Sequence, residues 1–153
     1  MITEKQIIEA QENWGKSIIE IGKVYSKKGD YVEAAKKHIQ RFYAYDYGTV
    51  LFKPTLALEK PFRLNFEAAL SYFISGNKDF PEDVGFALRP WKSVIWKNEG
   101  IVIKDNMAAI MGTYVFKDFN DEKAEVQFSL NFVDFDGELK MVLHHSAFAC
   151  DGS

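Results

Sequence analysis

Few residues in this chain could do chemistry, because metal ligands and thiols are scarce: there are three His and one Cys in 153 residues. A single Cys rules out a disulfide framework and any Cys-rich zinc site. His144 and His145 stand side by side and Ser146 follows. On a strand, neighbouring side chains point to opposite faces, so this pair cannot hold one ion without a bulge. His144 then shares a face with Val142, Ser146 and Phe148, and His145 with Leu143 and Ala147. Two readings follow. In one, one histidine is a satisfied core or interface residue and the other is solvated. In the other, His144 or His145 is a pocket donor or base, since imidazole changes charge near neutral pH. The chain has no GxGxxG, Walker loop, GxSxG, HExxH or CxxC, which sets aside the chemistries those motifs serve.

The rest of the chain must supply a scaffold for so sparse a site. Its length suits a single domain over residues 1–153, able to bury about 70% of the unfolded surface. Hydrophobic residues make up 47% and charged residues 27%, and the net charge is −3. No basic field exists to hold nucleic acid or an anionic membrane. No apolar run approaches the ~18 residues of a membrane span, and the start Met1-Ile2-Thr3-Glu4 lacks an apolar leader. A cytoplasmic protein is the expectation.

The first 28 residues read as a helix with a Thr3–Gln6 capping box and an apolar stripe through Ile7, Trp14, Ile18, Ile21 and Tyr25. Gly15 and Gly22 lie near one side of it, which suggests close approach of another backbone or coincidence. Asp30 and Glu33 start a second helix that should end near Asp46-Tyr47-Gly48. Thr49–Lys53 reads as a short strand stopped by Pro54, and Asn65 caps a third helix that closes at Gly76. Strands follow: Trp91–Lys97 before a turn at Asn98-Glu99-Gly100, then Met107–Lys117, Ala124–Val133 and Leu139–Ala149. Helices first and a strand meander last predict an α+β fold, with N-terminal helices packed on a curved sheet.

Six segments, in order, carry a family resemblance. They are Val50-Leu51-Phe52-Lys53-Pro54-Thr55-Leu56-Ala57, Pro61-Phe62-Arg63, Ser71-Tyr72-Phe73, Gly85-Phe86-Ala87 with Pro90-Trp91, Met111-Gly112-Thr113-Tyr114-Val115-Phe116, and Val142-Leu143-His144-His145-Ser146. From about Lys53 to Phe148 the chain resembles the iota-class carbonic anhydrases, relatives of the calcium/calmodulin-dependent kinase association domain in the nuclear transport factor 2-like superfamily. The resemblance implies a cone-shaped α+β barrel with a strongly curved antiparallel sheet. It also implies reversible hydration of CO2 to bicarbonate in a hydroxyl-lined pocket. Its catalytic hydroxyls would be Thr55, Tyr72 and Ser146, with His144, His145 and Arg63 as substrate-binding candidates. Arg63 has a competing reading as a structural ion-pair residue. Some relatives look metal-free and others have been described as zinc- or manganese-dependent, so no cofactor is expected here, although zinc and manganese stay open. Two departures stand out. Ala147-Phe148 replaces a serine and proline, and Phe128-Ser129-Leu130-Asn131-Phe132 replaces a Tyr-Thr-Phe-Gly-Tyr run.

Hydroxyls suit bicarbonate, because Thr, Tyr and Ser both donate to its oxygens and accept from water. The expected partner is CO2, bicarbonate or another small polar ligand. The alternative function is a non-catalytic association or small-ligand-binding module of the same fold. In that case Trp91, Trp96, Tyr114 and Phe116 would serve the face of a homodimer.

Overall fold

The computed structural model describes residues 1–150. Helix α1 (Glu4–Ser26) begins at the expected capping box: Gln6 N–H donates to the Thr3 hydroxyl at 3.2 Å, and Thr3 N–H donates to the Gln6 side chain at 2.9 Å. Helix α2 (Tyr31–Phe42) is capped by Asp30, and α3 (Phe66–Ile74) by Asn65, whose side chain accepts from Ala68 N–H at 2.9 Å. Strand β1 (Leu51–Lys53) precedes α3, and β2 (Trp91–Lys104), β3 (Met107–Asp118), β4 (Lys123–Phe135) and β5 (Glu138–Ala147) follow it. The sheet order is β1-β5-β4-β3-β2.

One face of this sheet carries the helices and the core. Along β4, Val126, Phe128, Leu130 and Phe132 are buried, as their alternation predicts. Gly15 and Gly22 of α1 face the sheet side of the molecule. A Cβ at Gly15 would sit 3.1 Å from the Val94 side chain, and one at Gly22 3.2 Å from the Ala87 carbonyl. Their small size lets α1 lie close against β2 and the 3-10 turn Phe86–Leu88.

Four expectations need correction. The sheet is mixed rather than purely antiparallel, because β1 runs parallel to β5 with Phe52 opposite His144. The signal Asn98-Glu99-Gly100 makes no turn: β2 continues through it with a one-residue slip between Asn98 and Gly100, and the hairpin closes at Asp105-Asn106 instead. Gln11 of α1 compensates there, exchanging two 2.8 Å hydrogen bonds with the Asn98 amide, and the slip bends the strand. Helix α2 stops at Phe42, and Tyr43 takes an extended backbone (φ −123°, ψ 142°) that bridges to Met141 of β5. Finally, Trp91, Tyr114 and Phe116 are buried in the core and Trp96 packs against it, so these aromatics do not form an outer face. Exposed apolar residues of the sheet include Ile95, Val102, Met107 and Met111.

Candidate active site

Under the helices, β1, β3, β5 and α3 surround a small cavity. Its lining includes Trp14, Phe52, Thr55, Tyr72, Phe86, Tyr114, His144 and Ser146. Its volume is about 10 Å³, close to what one buried water needs. Each polar group arrives from a different element. Thr55 sits in the turn after Pro54, where β1 ends, and Tyr72 projects from α3. His144 and Ser146 are two apart on β5 and so share its inner face, while Tyr114 reaches them from β3. His145 lies on the opposite, exposed face, opposite Ser129 in the β4–β5 register.

Thr55, Tyr72, His144 and Ser146 are therefore together, and all four are buried. Arg63 and His145 are not with them. Arg63 is fully buried behind the cavity: its guanidinium donates to Asp83 at 2.6 and 2.8 Å, to the Lys60 carbonyl at 2.8 Å and to the Ala68 carbonyl at 2.9 Å. Ser71 donates to the same Asp83 carboxylate at 2.5 Å. Arg63 thus braces the segment that carries Thr55 against α3, its charge 6.0 Å from the centre of the Tyr72 ring.

Histidine 144 is clamped. Phe52 stacks on its ring at 5.3 Å and Tyr43 stacks at 5.9 Å, with Trp14 edge-on. Its Nδ1 lies 2.9 Å from the Tyr43 hydroxyl, and Trp14 Nε1–H donates to that same hydroxyl at 3.2 Å. Its Nε2 lies 3.1 Å from the Tyr114 hydroxyl and 3.2 Å from that of Ser146, and these two hydroxyls are bonded to each other. Burial lowers the His144 pKa to about 3, with His145 a smaller cause. Burial also raises the phenols of Tyr43, Tyr72 and Tyr114 above their ordinary range. At Tyr72 the Leu56 amide, which donates to the phenol at 3.3 Å, partly opposes that rise. The site is neutral at physiological pH and rich in hydroxyl groups, with no preformed base.

Trp14, Tyr43 and Tyr114 were not among the sequence candidates. Tyr114 was legible in principle, since it lies inside one of the six family segments. Tyr43 carried no signal, because the helical period runs straight past it. The two departures noted from the family pattern spare the cavity hydroxyls. Ala147 is half-buried and Phe148 exposed, and Phe148 lines a separate, larger apolar cavity of about 470 Å³ whose wall also includes Thr55 and Phe86. Among the described residues, no three His, Cys, Asp or Glu side chains converge as a metal site. One imidazole among hydroxyls does not fit zinc or manganese. No helix among them is long and apolar enough to cross a membrane.

Comparison with known proteins gives consistent matches. The profile of a family described as metal-independent carbonic anhydrase matches residues 5–148. A curated metal-independent carbonic anhydrase of Nostoc sp. (strain PCC 7120) is 39% identical over 150 residues, 95% of this chain and 73% of that one. A crystal structure of an iota-carbonic anhydrase from a cyanobacterium, complexed with bicarbonate, superposes with a TM-score of 0.95 at 38% identity, covering 98% of this chain and 94% of that one. A Xanthomonas campestris protein assigned to the calcium/calmodulin dependent protein kinase II association domains shares the fold at a TM-score of 0.61 and 20% identity, covering 98% and 91%.

Proposed function

The chain belongs to the metal-independent carbonic anhydrase family, and we propose that it catalyses CO2 + H2O ⇌ HCO3⁻ + H⁺ in the cavity between β1, β3, β5 and α3. One observation carries this reading: the Thr55, Tyr72 and Ser146 side chains line one cavity of about 10 Å³. Three hydroxyls facing one small space can hold the oxygens of CO2 and of the attacking water once the lining side chains part to admit them.

The chemistry follows from what the site lacks. His144, with a pKa of about 3, is a poor base, and the raised phenols do not form phenolate near neutrality. Thr55 and Ser146 position CO2 through its oxygens, and Tyr72, anchored by Leu56 N–H, polarises the attacking water. The water oxygen bonds to carbon and one C=O π bond breaks, its electron pair moving to the oxygen held by the donors. As this happens, the water proton passes to the Thr55 hydroxyl while Thr55 gives its own proton to that oxygen. The product is carbonic acid, which ionises to bicarbonate and a proton on leaving. Preorganised donors in a dry cavity act without reorganisation, and that is the source of the rate enhancement.

Stopped-flow CO2 hydration with a pH indicator tests the reading. A rate above buffer is expected, and a rate equal to buffer would sink it. We also propose a homodimer joined through the outer sheet face, where Ile95 and Met111 are exposed. Light scattering at micromolar concentration should give twice the chain mass, and Met111→Lys should reduce it to one.

A further inference from the structure

We infer that Tyr43 is a positioning residue: it fixes which nitrogen of His144 carries the proton, and so sets how many hydroxyl donors the cavity offers a ligand. The Tyr43 oxygen accepts from Trp14 Nε1–H and has one proton of its own, and its other polar neighbour is His144 Nδ1 at 2.9 Å. If Nδ1 were protonated, Tyr43 would accept twice and its own proton would lie buried without a partner, a costly arrangement. Tyr43 therefore donates to a bare Nδ1, and the His144 proton is on Nε2.

The consequence appears on the other side of the ring. Nε2, Tyr114 OH and Ser146 Oγ form a triangle, each within hydrogen-bond reach of the other two. One hydroxyl proton lies on the Tyr114–Ser146 edge. With Nε2 protonated, the remaining hydroxyl proton finds no acceptor in the triangle and points into the cavity. With Nε2 bare, that proton would be drawn to nitrogen and the cavity would lose the donor. Tyr43 does not line the cavity, yet through the histidine it decides whether the triangle gives the cavity one donor or none.

Identifying the ligand as bicarbonate rests on the carbonic anhydrase reading, whereas the tautomer can be measured without it. Long-range ¹⁵N–¹H NMR on histidine-labelled protein at neutral pH reports which nitrogen is protonated, with His38→Gln and His145→Gln assigning His144 by elimination. The expected signature is a protonated Nε2 and a bare Nδ1. In Tyr43→Phe the population should move toward protonated Nδ1, and bicarbonate affinity should fall about tenfold or more, the loss of one hydrogen bond to a charged group. Trp14→Phe removes the bond to the Tyr43 oxygen but leaves Nδ1 as the only acceptor for the Tyr43 proton, so it should keep Nε2 protonated, and it serves as the second variant if Tyr43→Phe does not fold. A protonated Nδ1 in the wild type overturns the inference. So does a tautomer unchanged in Tyr43→Phe, or one that moves to Nδ1 in Trp14→Phe. Absence of bicarbonate binding to the wild type would instead count against the proposed function and leave the tautomer result standing.

Discussion

At the residue scale, the proposed reaction relies on placed hydroxyls rather than on a titrating base, and this has a kinetic signature. His144 changes charge only around pH 3, and the phenols only above their ordinary range. The CO2 hydration rate should therefore stay level between about pH 6 and about 9, where a free imidazole base would produce a sigmoid. A sigmoidal profile centred near neutrality would mean that a histidine acts as base after all. Removing a single donor should be costly: Ser146→Ala and Tyr72→Phe should each lower kcat by about 100-fold, the usual penalty for losing one preorganised donor. Stopped-flow assays with circular dichroism as a folding control would check both. The cavity hydroxyls were nameable beforehand only because the wording of several segments matched a family. Spacing alone put His144 and Ser146 on one strand face but had no means of bringing Thr55 and Tyr72 to meet them. Tyr43 escaped notice for a related reason. Its role depends on leaving the helix, and the tertiary bridge to Met141 competes successfully with the local apolar period.

At the element scale, local rules worked where the decisive contacts are local. The caps at Thr3, Asp30 and Asn65 all form, because each joins residues three apart. The strong turn signal Asn98-Glu99-Gly100 failed because α1 supplies Gln11 to occupy the amide that would otherwise favour a turn. The parallel pairing of β1 was also invisible, since three residues carry no record of their direction. The bulge leads to a prediction about Gly112, which faces Asn98 across the β2–β3 pair. A Cβ there would collide with the Lys97 carbonyl and lie 3.0 Å from Asn98 Cα. Gly112→Ala should destabilise the protein by about 3 kcal/mol or more, toward the upper end for overpacking against rigid backbone. Urea unfolding measures this, and a change under about 0.5 kcal/mol, the range of innocuous surface changes, would show that the bulge yields easily.

At the scale of the whole molecule, two buried histidines link stability to pH. His38 and His144 both have their pKa lowered from 6.5 to about 3, chiefly by burial. The folded state keeps them neutral while the unfolded chain binds a proton at each below about pH 6.5. Unfolding therefore takes up protons, and stability is fully present above about pH 6.5 and declines as pH falls toward 3. The slope should approach about 1.4 kcal/mol per pH unit for each histidine. Denaturant unfolding at a series of pH values should give an uptake near two protons at about pH 5, reduced by about one in His38→Gln. The carboxylates of Glu82 and Asp118, lowered chiefly by hydrogen bonds, add their own losses at more acidic pH.

The buried brace of Arg63, Asp83 and Ser71 has a consequence for how such a chain can change over generations. Loss of Arg63 alone strands the Asp83 carboxylate in a dry interior, and loss of Asp83 alone strands the guanidinium. Either single step should cost about 3–5 kcal/mol, whereas replacing both by apolar residues of matching volume strands no charge and costs less, the Ala68 carbonyl and Ser71 hydroxyl losing their partners. Drift at these two positions is therefore gated: lineages must change them as a pair, or carry enough surplus stability to survive the intermediate. Urea unfolding of Arg63→Met, Asp83→Leu and the double variant should reproduce that barrier, with the double variant more stable than either single one.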